Sequence, residues 1–201
     1  MGLFAATVQR ISEHPVLFIV LRSILENDFK AIRAVIRRRL RVGQGLRTLD
    51  LGCGPGAFAD LFEGDDYVGV DLNARYIEHA RKTRHGAFIV SDARKVDLPD
   101  ARFDQVLIFG LLHHLPDEDV RAVLRECRRL LAPGGRVLVI EDIPAISRLN
   151  LIGHLIHRVE NGEHIRPEAE YRRLYAESAT LESGEVLQSG ICDYFAAVLV
   201  V

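Results

Sequence analysis

Cysteine is scarce in this sequence, and the three residues present, Cys53, Cys127 and Cys192, are odd in number and far apart. Nothing in their spacing indicates a disulfide framework or a zinc site, so we expect no bound metal and a reducing, cytoplasmic location. Long apolar runs are also missing, since the best candidate, Val16 to Leu21, ends at Arg22, far short of the roughly 18 to 20 residues of a membrane span. The first ten residues lack the pattern of a secretory signal.

Repeats, low-complexity tracts and Pro/Ser/Gly-rich linkers are absent as well. The 201 residues, 48% hydrophobic and 27% charged, therefore predict one globular domain spanning 1–201. The net charge is only −2, but the first 48 residues carry nine Lys and Arg against three acids. Arg37, Arg38, Arg39 and Arg41 form a cluster that either complements a helix dipole or contacts a nucleic acid or an acidic lipid. We favour the dipole because no interleaved aromatic residues or second basic patch accompany it.

Helices and strands alternate in the predicted order of elements. A first amphipathic helix is indicated by apolar residues at steps of three and four: Phe18, Leu21, Leu25, Phe29, Ile32, Ile36 and Leu40. Strands are predicted at 48–51, 67–71, 87–90, 103–109, 136–140, 186–188 and 194–201, with helices at 57–63, 74–84, 117–131 and 168–178. This order predicts an α/β fold, a parallel sheet covered by helices on both faces and closed by an antiparallel hairpin.

A glycine-rich turn follows the first buried strand, in the segment Leu49-Asp50-Leu51-Gly52-Cys53-Gly54-Pro55-Gly56. Glycines let a ligand lie against the backbone, and an acid before the turn can hold a cationic group. Asp71 ends the second strand, where a carboxylate can accept hydrogen bonds from both hydroxyls of a ribose. The G-x-G-x-G spacing differs from the G-x-G-x-x-G of dinucleotide-binding turns.

These segments resemble the class I S-adenosylmethionine-dependent methyltransferases, which have a Rossmann-like fold. The likeness runs from about Thr48 to Asp142 and, more loosely, to the C-terminal hairpin. Besides the glycine turn it is carried by Gly69 to Leu72, Ser91 to Ala93, Phe103 to Val106, the Leu112-His113-His114-Leu115-Pro116-Asp117 segment and Leu130 to Gly135. It implies a seven-stranded doubly wound sheet of order 3-2-1-4-5-7-6 with strand 7 antiparallel. It also implies S-adenosylmethionine as cofactor and methyl transfer as the activity.

The resemblance further implies a role for each matching residue. Gly52, Gly54 and Gly56 would line the methionine part of the cofactor with Cys53 as a small loop residue, and Asp50 would orient its ammonium group. Asp71 would hold the ribose, Leu72 would pack on the adenine, and Asp92 and the Ala93 amide would meet the adenine edge. The carbonyls at Phe109 and Gly110 would face the ammonium and sulfonium groups.

The acceptor side of the site is less defined by the sequence. His113 and His114 are candidate bases, since imidazole suits proton removal near neutral pH, and His114 is also a candidate cofactor contact. Glu141 and Asp142 are weaker candidates that shape a loop more often than they react. We divide the chain into a helical cap (1–45), a cofactor-binding core (46–142), a substrate lid (143–166) and a helix with closing hairpin (167–201). The lid contains His154, His157 and His164, for which a solvated helix face is the favoured explanation.

The function predicted from the sequence is methylation of an acceptor, with a small molecule favoured over RNA, lipid or protein. Two alternatives remain open at this point. One is an NAD(P)-dependent oxidoreductase on a similar sheet, which the glycine spacing disfavours. The other is a silent S-adenosylmethionine-binding module, since intact motifs do not prove turnover. The acceptor atom and the oligomeric state are not indicated by the sequence.

Overall fold

The computed structural model describes residues 15–146 and 164–201. Its seven strands are β1 (Arg47–Leu51), β2 (Asp66–Asp71), β3 (Ala87–Val90), β4 (Phe103–Phe109), β5 (Leu131–Ile143), β6 (Thr180–Ser189) and β7 (Cys192–Val200). The α-helices of the described residues are α1 (Pro15–Leu25), α2 (Lys30–Arg39), α3 (Ala74–Thr83), α4 (Asp117–Leu130) and α5 (Glu168–Ala176). Short 3₁₀ helices cover Ala59–Phe62 and Leu112–His114.

The strands form one sheet in the order β3-β2-β1-β4-β5-β7-β6. Strands β1 to β5 are parallel, and β7 pairs antiparallel with both β5 and β6. The predicted fold class, strand order and closing hairpin are therefore confirmed. Because the chain moves from β1 to β2 on one side and returns to β4 on the other, a crevice opens between the carboxyl ends of these strands.

Alternating side chains divide the core into two layers. On β5, Val137 and Val139 pack in the cluster that contains α4 and α5, whereas Leu138 and Ile140 pack in the cluster that contains α2 and α3. Successive residues of a strand point to opposite faces, so a continuous apolar strand buries both faces at once. Apolar packing thus covers both faces of the sheet next to the edge where the glycine turn lies.

The N-terminal amphipathic segment is two helices, and the prediction of one continuous helix was wrong. The helix is interrupted at 26–29, where Asn27, Asp28 and Phe29 have φ of 52°, 57° and 52°. The carbonyl of Leu25 accepts the amide of Ile191 at 3.1 Å instead of continuing the helix. A contact 166 residues away in the sequence therefore ends α1, and apolar periodicity carries no information about such a contact.

The Glu26 side chain anchors this turn in the protein interior. Its carboxylate is fully buried and accepts the Tyr194 hydroxyl at 2.6 Å, while its carbonyl accepts the Ser189 hydroxyl at 3.0 Å. Arg22, one turn earlier, pairs with the same carboxylate. The turn after α1 is thereby fastened to the hairpin formed by β6 and β7.

Strand β5 begins earlier than predicted. Helix α4 ends at Leu130 and the strand starts at Leu131, not at Arg136. Phe103 pairs with Leu131 and Gln105 with Arg136, so the Pro-Gly-Gly segment between them forms an irregularity within the strand. Helix α4 ends before the breaker residues, as expected, but pairing with β4 on both sides of them extends the strand.

Two further observations concern the outer surface. Arg38 and Arg39 both bind Glu185 on β6, at 2.7 and 2.8 Å, which supplies a structural partner for part of the basic cluster. Across residues 15–146 and 164–201, no helix combines the length and the apolar character that crossing a membrane would require.

Candidate functional site

The glycine turn after β1 is fixed by its own backbone. Gly52, Gly54 and Gly56 have φ of 76°, 53° and 77°, values that L side chains rarely adopt. A Cβ at Gly52 would lie 3.0 Å from the Cβ of Leu111, so the close approach of the next loop also requires glycine. The amides of Gly52 and Cys53 both donate to the Val70 carbonyl, at 2.8 and 3.0 Å. The turn is therefore held against the end of β2.

Asp71 joins this turn to the start of α3. Its Oδ2 accepts the Gly54 amide and its Oδ1 accepts the Asn73 amide, each at 2.8 Å. Burial raises the pKa of this carboxyl group, although the two amide hydrogen bonds counteract part of the rise. A carboxylate has about four lone-pair sites, so each oxygen can accept a further hydrogen bond from a hydroxyl group.

Asp50 is buried directly beneath the turn, with 2% of its surface exposed. Its Oδ2 accepts the Tyr67 hydroxyl at 2.7 Å. Burial raises the pKa of Asp50 to about 7, Tyr67 lowers it in part, and the charge of Asp71 raises it again. A cation next to this acid would relieve the cost of its buried charge.

A cavity of about 340 Å³ opens beside the turn at the carboxyl edge of the sheet. Six of the predicted cofactor residues line it: Gly52, Asp71, Leu72, Asp92, Ala93 and His114. Leu72 is 71% exposed, which is unusual for a large apolar side chain and leaves it open to a ligand. The structure adds Val70, Ser91, Arg94, Leu111, Leu115, Pro116 and Asp119, none of which the sequence analysis assigned to the site.

The other predicted cofactor residues do not line the cavity. The Cys53 thiol is buried and burial raises its pKa well above its usual value, which agrees with a structural role. The Phe109 ring packs edge-on against Phe29 and Phe58 at 6.0 and 5.0 Å between centroids, so only its backbone faces the edge of the sheet. Gly110, with φ of 62°, donates its amide to the Ile140 carbonyl at 3.0 Å.

Asp92 is engaged by Arg94, two residues later. The guanidinium contacts both carboxylate oxygens, with a shortest distance of 2.6 Å, and also reaches Asp119 at 2.8 Å. Arg94 holds the pKa of Asp92 below its usual range. The sequence did contain a signal for these ion pairs: a charged residue two positions after an aspartate, and acidic residues in the first turn of α4.

Glu141, at the end of β5, organises the loop that follows β4. Its Oε1 accepts the amides of Leu111 and Leu112 at 3.0 and 2.7 Å, and its Oε2 accepts the His113 amide at 3.2 Å. The same Oε2 lies 2.8 Å from His113 Nδ1. Because an ionised carboxylate only accepts, His113 Nδ1 carries the hydrogen and Nε2 is the acceptor nitrogen of the neutral ring.

The surroundings of His113 alter its basicity. Burial lowers the pKa of His113, but the hydrogen bond to Glu141 and the charges of Glu141 and Asp142 outweigh burial and raise it overall. Asp142 Oδ2 lies 3.8 Å from His113 Nδ1 and, within the described structure, neither Asp142 oxygen has a hydrogen-bond partner. The His114 ring lies 4.0 Å from the His113 ring between centroids and is exposed in the cavity.

Arg166 fixes the far side of this loop and was missed by the sequence analysis. It is buried, donates to the carbonyls of Leu112 and Leu115 at 3.1 and 2.7 Å, and binds Asp117 at 2.7 Å. His164 donates its amide to the His113 carbonyl at 3.0 Å. The predictions for His154 and His157 fall outside the described residues.

Residues 49–139 match the family model described as "Methyltransferase domain". The ubiquinone/menaquinone biosynthesis C-methyltransferase of Hahella chejuensis is 31% identical over 176 residues, which cover 75% of this chain and 69% of that protein. The chain belongs to the class I S-adenosylmethionine-dependent methyltransferases. The predicted family and its cofactor are therefore confirmed.

Two other methyltransferases extend the comparison. The fatty-acid O-methyltransferase of Mycolicibacterium smegmatis is 36% identical over 52% of this chain and 42% of its own length. The structure of a SAM-dependent methyltransferase from Aquifex aeolicus superposes with a TM-score of 0.68 at 17% identity, covering 90% of this chain and 93% of that one. At that identity the superposition supports the fold alone. The chain thus spans about two thirds of one curated relative and less than half of the other.

Proposed function

We propose that this chain transfers the methyl group of S-adenosylmethionine to a small-molecule acceptor in the cytoplasm. The observation that carries the proposal is the meeting of Gly52, in the glycine turn, with the Asp71 carboxylate and the exposed Leu72 side chain around one cavity. Relatives of different acceptor chemistry support the small-molecule class, since their names include a quinone C-methyltransferase and a fatty-acid O-methyltransferase.

The residues present fit the cofactor chemically. Gly52 lines the cavity, and the turn that it forms with Gly54 and Gly56 would take the methionine part of the cofactor. Asp50 would attract the ammonium group, and Asp71 has acceptor capacity left for the ribose hydroxyls. The Leu72 side chain and the Ala93 amide would meet the adenine.

When bound, the cofactor would supply a methyl group activated by a positively charged sulfur, for transfer to the acceptor with the neutral thioether as leaving group. The protein then needs to position the acceptor and, for a hydroxyl or amine, to take a proton. We assign proton removal to His113, because Glu141 holds its Nδ1 hydrogen and leaves Nε2 as the basic atom. The His113 ring is buried and outside the cavity lining, and it contacts the ring of His114, which lines the cavity, at 4.0 Å between centroids. His114, which is exposed in the cavity, would contact the acceptor. The predicted lid, 143–166, lies mostly outside the described residues.

The direction of the His113 pKa shift gives this assignment a pH dependence. A raised pKa means that the imidazole keeps its proton to a higher pH than an isolated histidine. Methyl transfer that depends on the neutral ring should therefore increase as the pH rises through this pKa. A rate that falls over the same range would remove His113 from the role of base.

Binding of S-adenosylhomocysteine to an Asp71→Asn variant tests the cofactor site. A lost charge-assisted hydrogen bond should weaken binding by roughly 10- to 150-fold, measured by isothermal titration calorimetry. Asp65→Asn is the matched control, because Asp65 also accepts two backbone amides, from Gly43 and Leu46 at 3.0 Å each, outside the cavity lining. Equal affinity of the two variants would contradict the placement of the ribose.

A methyl-transfer screen with tritiated cofactor against metabolites, RNA and protein tests the activity. We expect label on a small molecule. Label on RNA or protein alone would overturn the acceptor class. Cofactor binding without label on any acceptor would favour a silent binding module.

A further inference from the structure

Arg94 is fixed at the rim of the cavity by the residue two positions before it. Its amide donates to Asp92 Oδ1 at 2.9 Å, in a turn closed by the Lys95 amide on the Asp92 carbonyl at 3.0 Å. Its Nε lies 3.0 Å from each Asp92 oxygen, and its Nη2 lies 2.6 Å from Oδ2. The backbone and the side chain of Arg94 are thus both attached to Asp92.

A second carboxylate holds the other end of the guanidinium. Nη1 donates to Asp119 Oδ2 at 2.8 Å, in the first turn of α4. The Arg94 side chain therefore spans the distance from the end of β3 to the start of α4, and all three residues line the cavity. Because both carboxylates bind the edge of the planar group, its faces are left without these hydrogen bonds.

These contacts occupy most of the acceptor capacity of Asp92. A carboxylate has about four lone-pair sites, and Arg94 supplies three N–H donors to this one, from its amide, Nε and Nη2, with the Nε hydrogen shared between the two oxygens. While Arg94 stays in place, Asp92 has about one lone-pair site left for the amino group of a purine. Further contacts with the base then have to come from other groups at this end of the cavity.

We infer that Arg94 contributes to binding of the nucleoside, with the face of its guanidinium packed against the purine of the cofactor. The inference rests on the proposed function, since it places the nucleoside in this cavity. An arginine face attracts an aromatic ring by cation–π interaction and stacking, and two carboxylates keep this face from rotating. Leu72, which lines the same cavity, supplies the apolar contact for the base.

Calorimetric titration with S-adenosylhomocysteine and, separately, with adenosine tests the inference on the whole chain. Arg94→Ala should weaken both ligands by the same factor, about 3- to 30-fold, because both carry the purine. Arg94→Lys keeps the charge but loses the flat face, so it should show most of the same loss. Asp119→Asn keeps the guanidinium and removes one support, so a smaller loss of about 2- to 4-fold is expected. Arg75→Ala removes an exposed arginine outside the cavity lining and should leave both affinities unchanged.

The sign of the Arg94→Ala effect decides the outcome. Unchanged or tighter binding would overturn the inference, and tighter binding would mean that Arg94 competes with the purine for Asp92. Arg94→Lys binding as tightly as the unmodified protein would also overturn it, because charge alone would then suffice. If the unmodified protein binds neither ligand, the proposed function itself fails, which is a different result from a protein that binds both and ignores Arg94. Thermal melting checks that each variant is folded.

Discussion

Asp50 is the residue whose replacement tests the electrostatics of the site most directly. The carboxyl group is buried beneath the glycine turn, and its pKa rises from 3.8 to about 7. The folded protein therefore binds a proton at Asp50 between these two values, whereas the unfolded chain has released it. Stability must fall as the pH rises from about 4 to 7, because the folded state then has to carry a buried charge.

The size of this effect follows from the two pKa values. Linkage between 3.8 in the unfolded chain and about 7 in the folded protein gives a loss of about 2 to 3 kcal/mol in the free energy of unfolding between pH 5 and pH 8. Asp50→Asn keeps the shape of the side chain and an oxygen for the Tyr67 hydroxyl but cannot ionise. The variant should gain about that much relative to the unmodified protein over this pH range.

Urea unfolding of both proteins at pH 5, 6, 7 and 8 measures the difference. Subtracting the pH dependence of one protein's free energy of unfolding from that of the other removes the contributions of the other titrating groups, including His113. Asp104→Asn is the control, because its hydrogen bond to Arg47 lowers the pKa of Asp104, so this group is ionised in both states above pH 5. A difference between Asp50→Asn and the unmodified protein that stays flat, or that shrinks as the pH rises, would refute the reasoning.

Two other substitutions probe the loops around the cavity. Glu141→Gln replaces one carboxylate oxygen, an acceptor of backbone amides, by an NH₂ group. The free energy of unfolding, measured by urea unfolding, should fall by about 1 to 3 kcal/mol. The pKa of His113, measured by NMR titration of the imidazole, should fall as well, and an unchanged pKa would contradict the pairing. Gly52→Ala should destabilise the protein by about 1 to 3 kcal/mol more than Gly134→Ala. Both glycines have positive φ, but only a side chain at Gly52 would meet Leu111. Equal urea midpoints of the two variants would contradict the close approach of the loop that contains Leu111.

The glycine turn shows how much of the site could be predicted from sequence. Asp50, the three glycines and Asp71 lie within 22 residues, and strand, turn and helix signals between them are local. The confirmed strand order followed from the family resemblance built on these motifs. The cavity lining supplied by Arg94 and Asp119 was not predicted, because an ion pair across 25 positions leaves no periodic signal.

Local chemistry in the sequence therefore determined the alternating elements, the turn that only glycine can form and the acid at the end of β2. The tertiary structure alone decided that the first amphipathic segment splits in two, because the hairpin captures the Leu25 carbonyl. It also decided that Glu141 binds the loop of His113, 28 residues earlier. Backbone propensity acts over a few residues, whereas a buried polar group takes whichever partner the folded chain brings within hydrogen-bond distance.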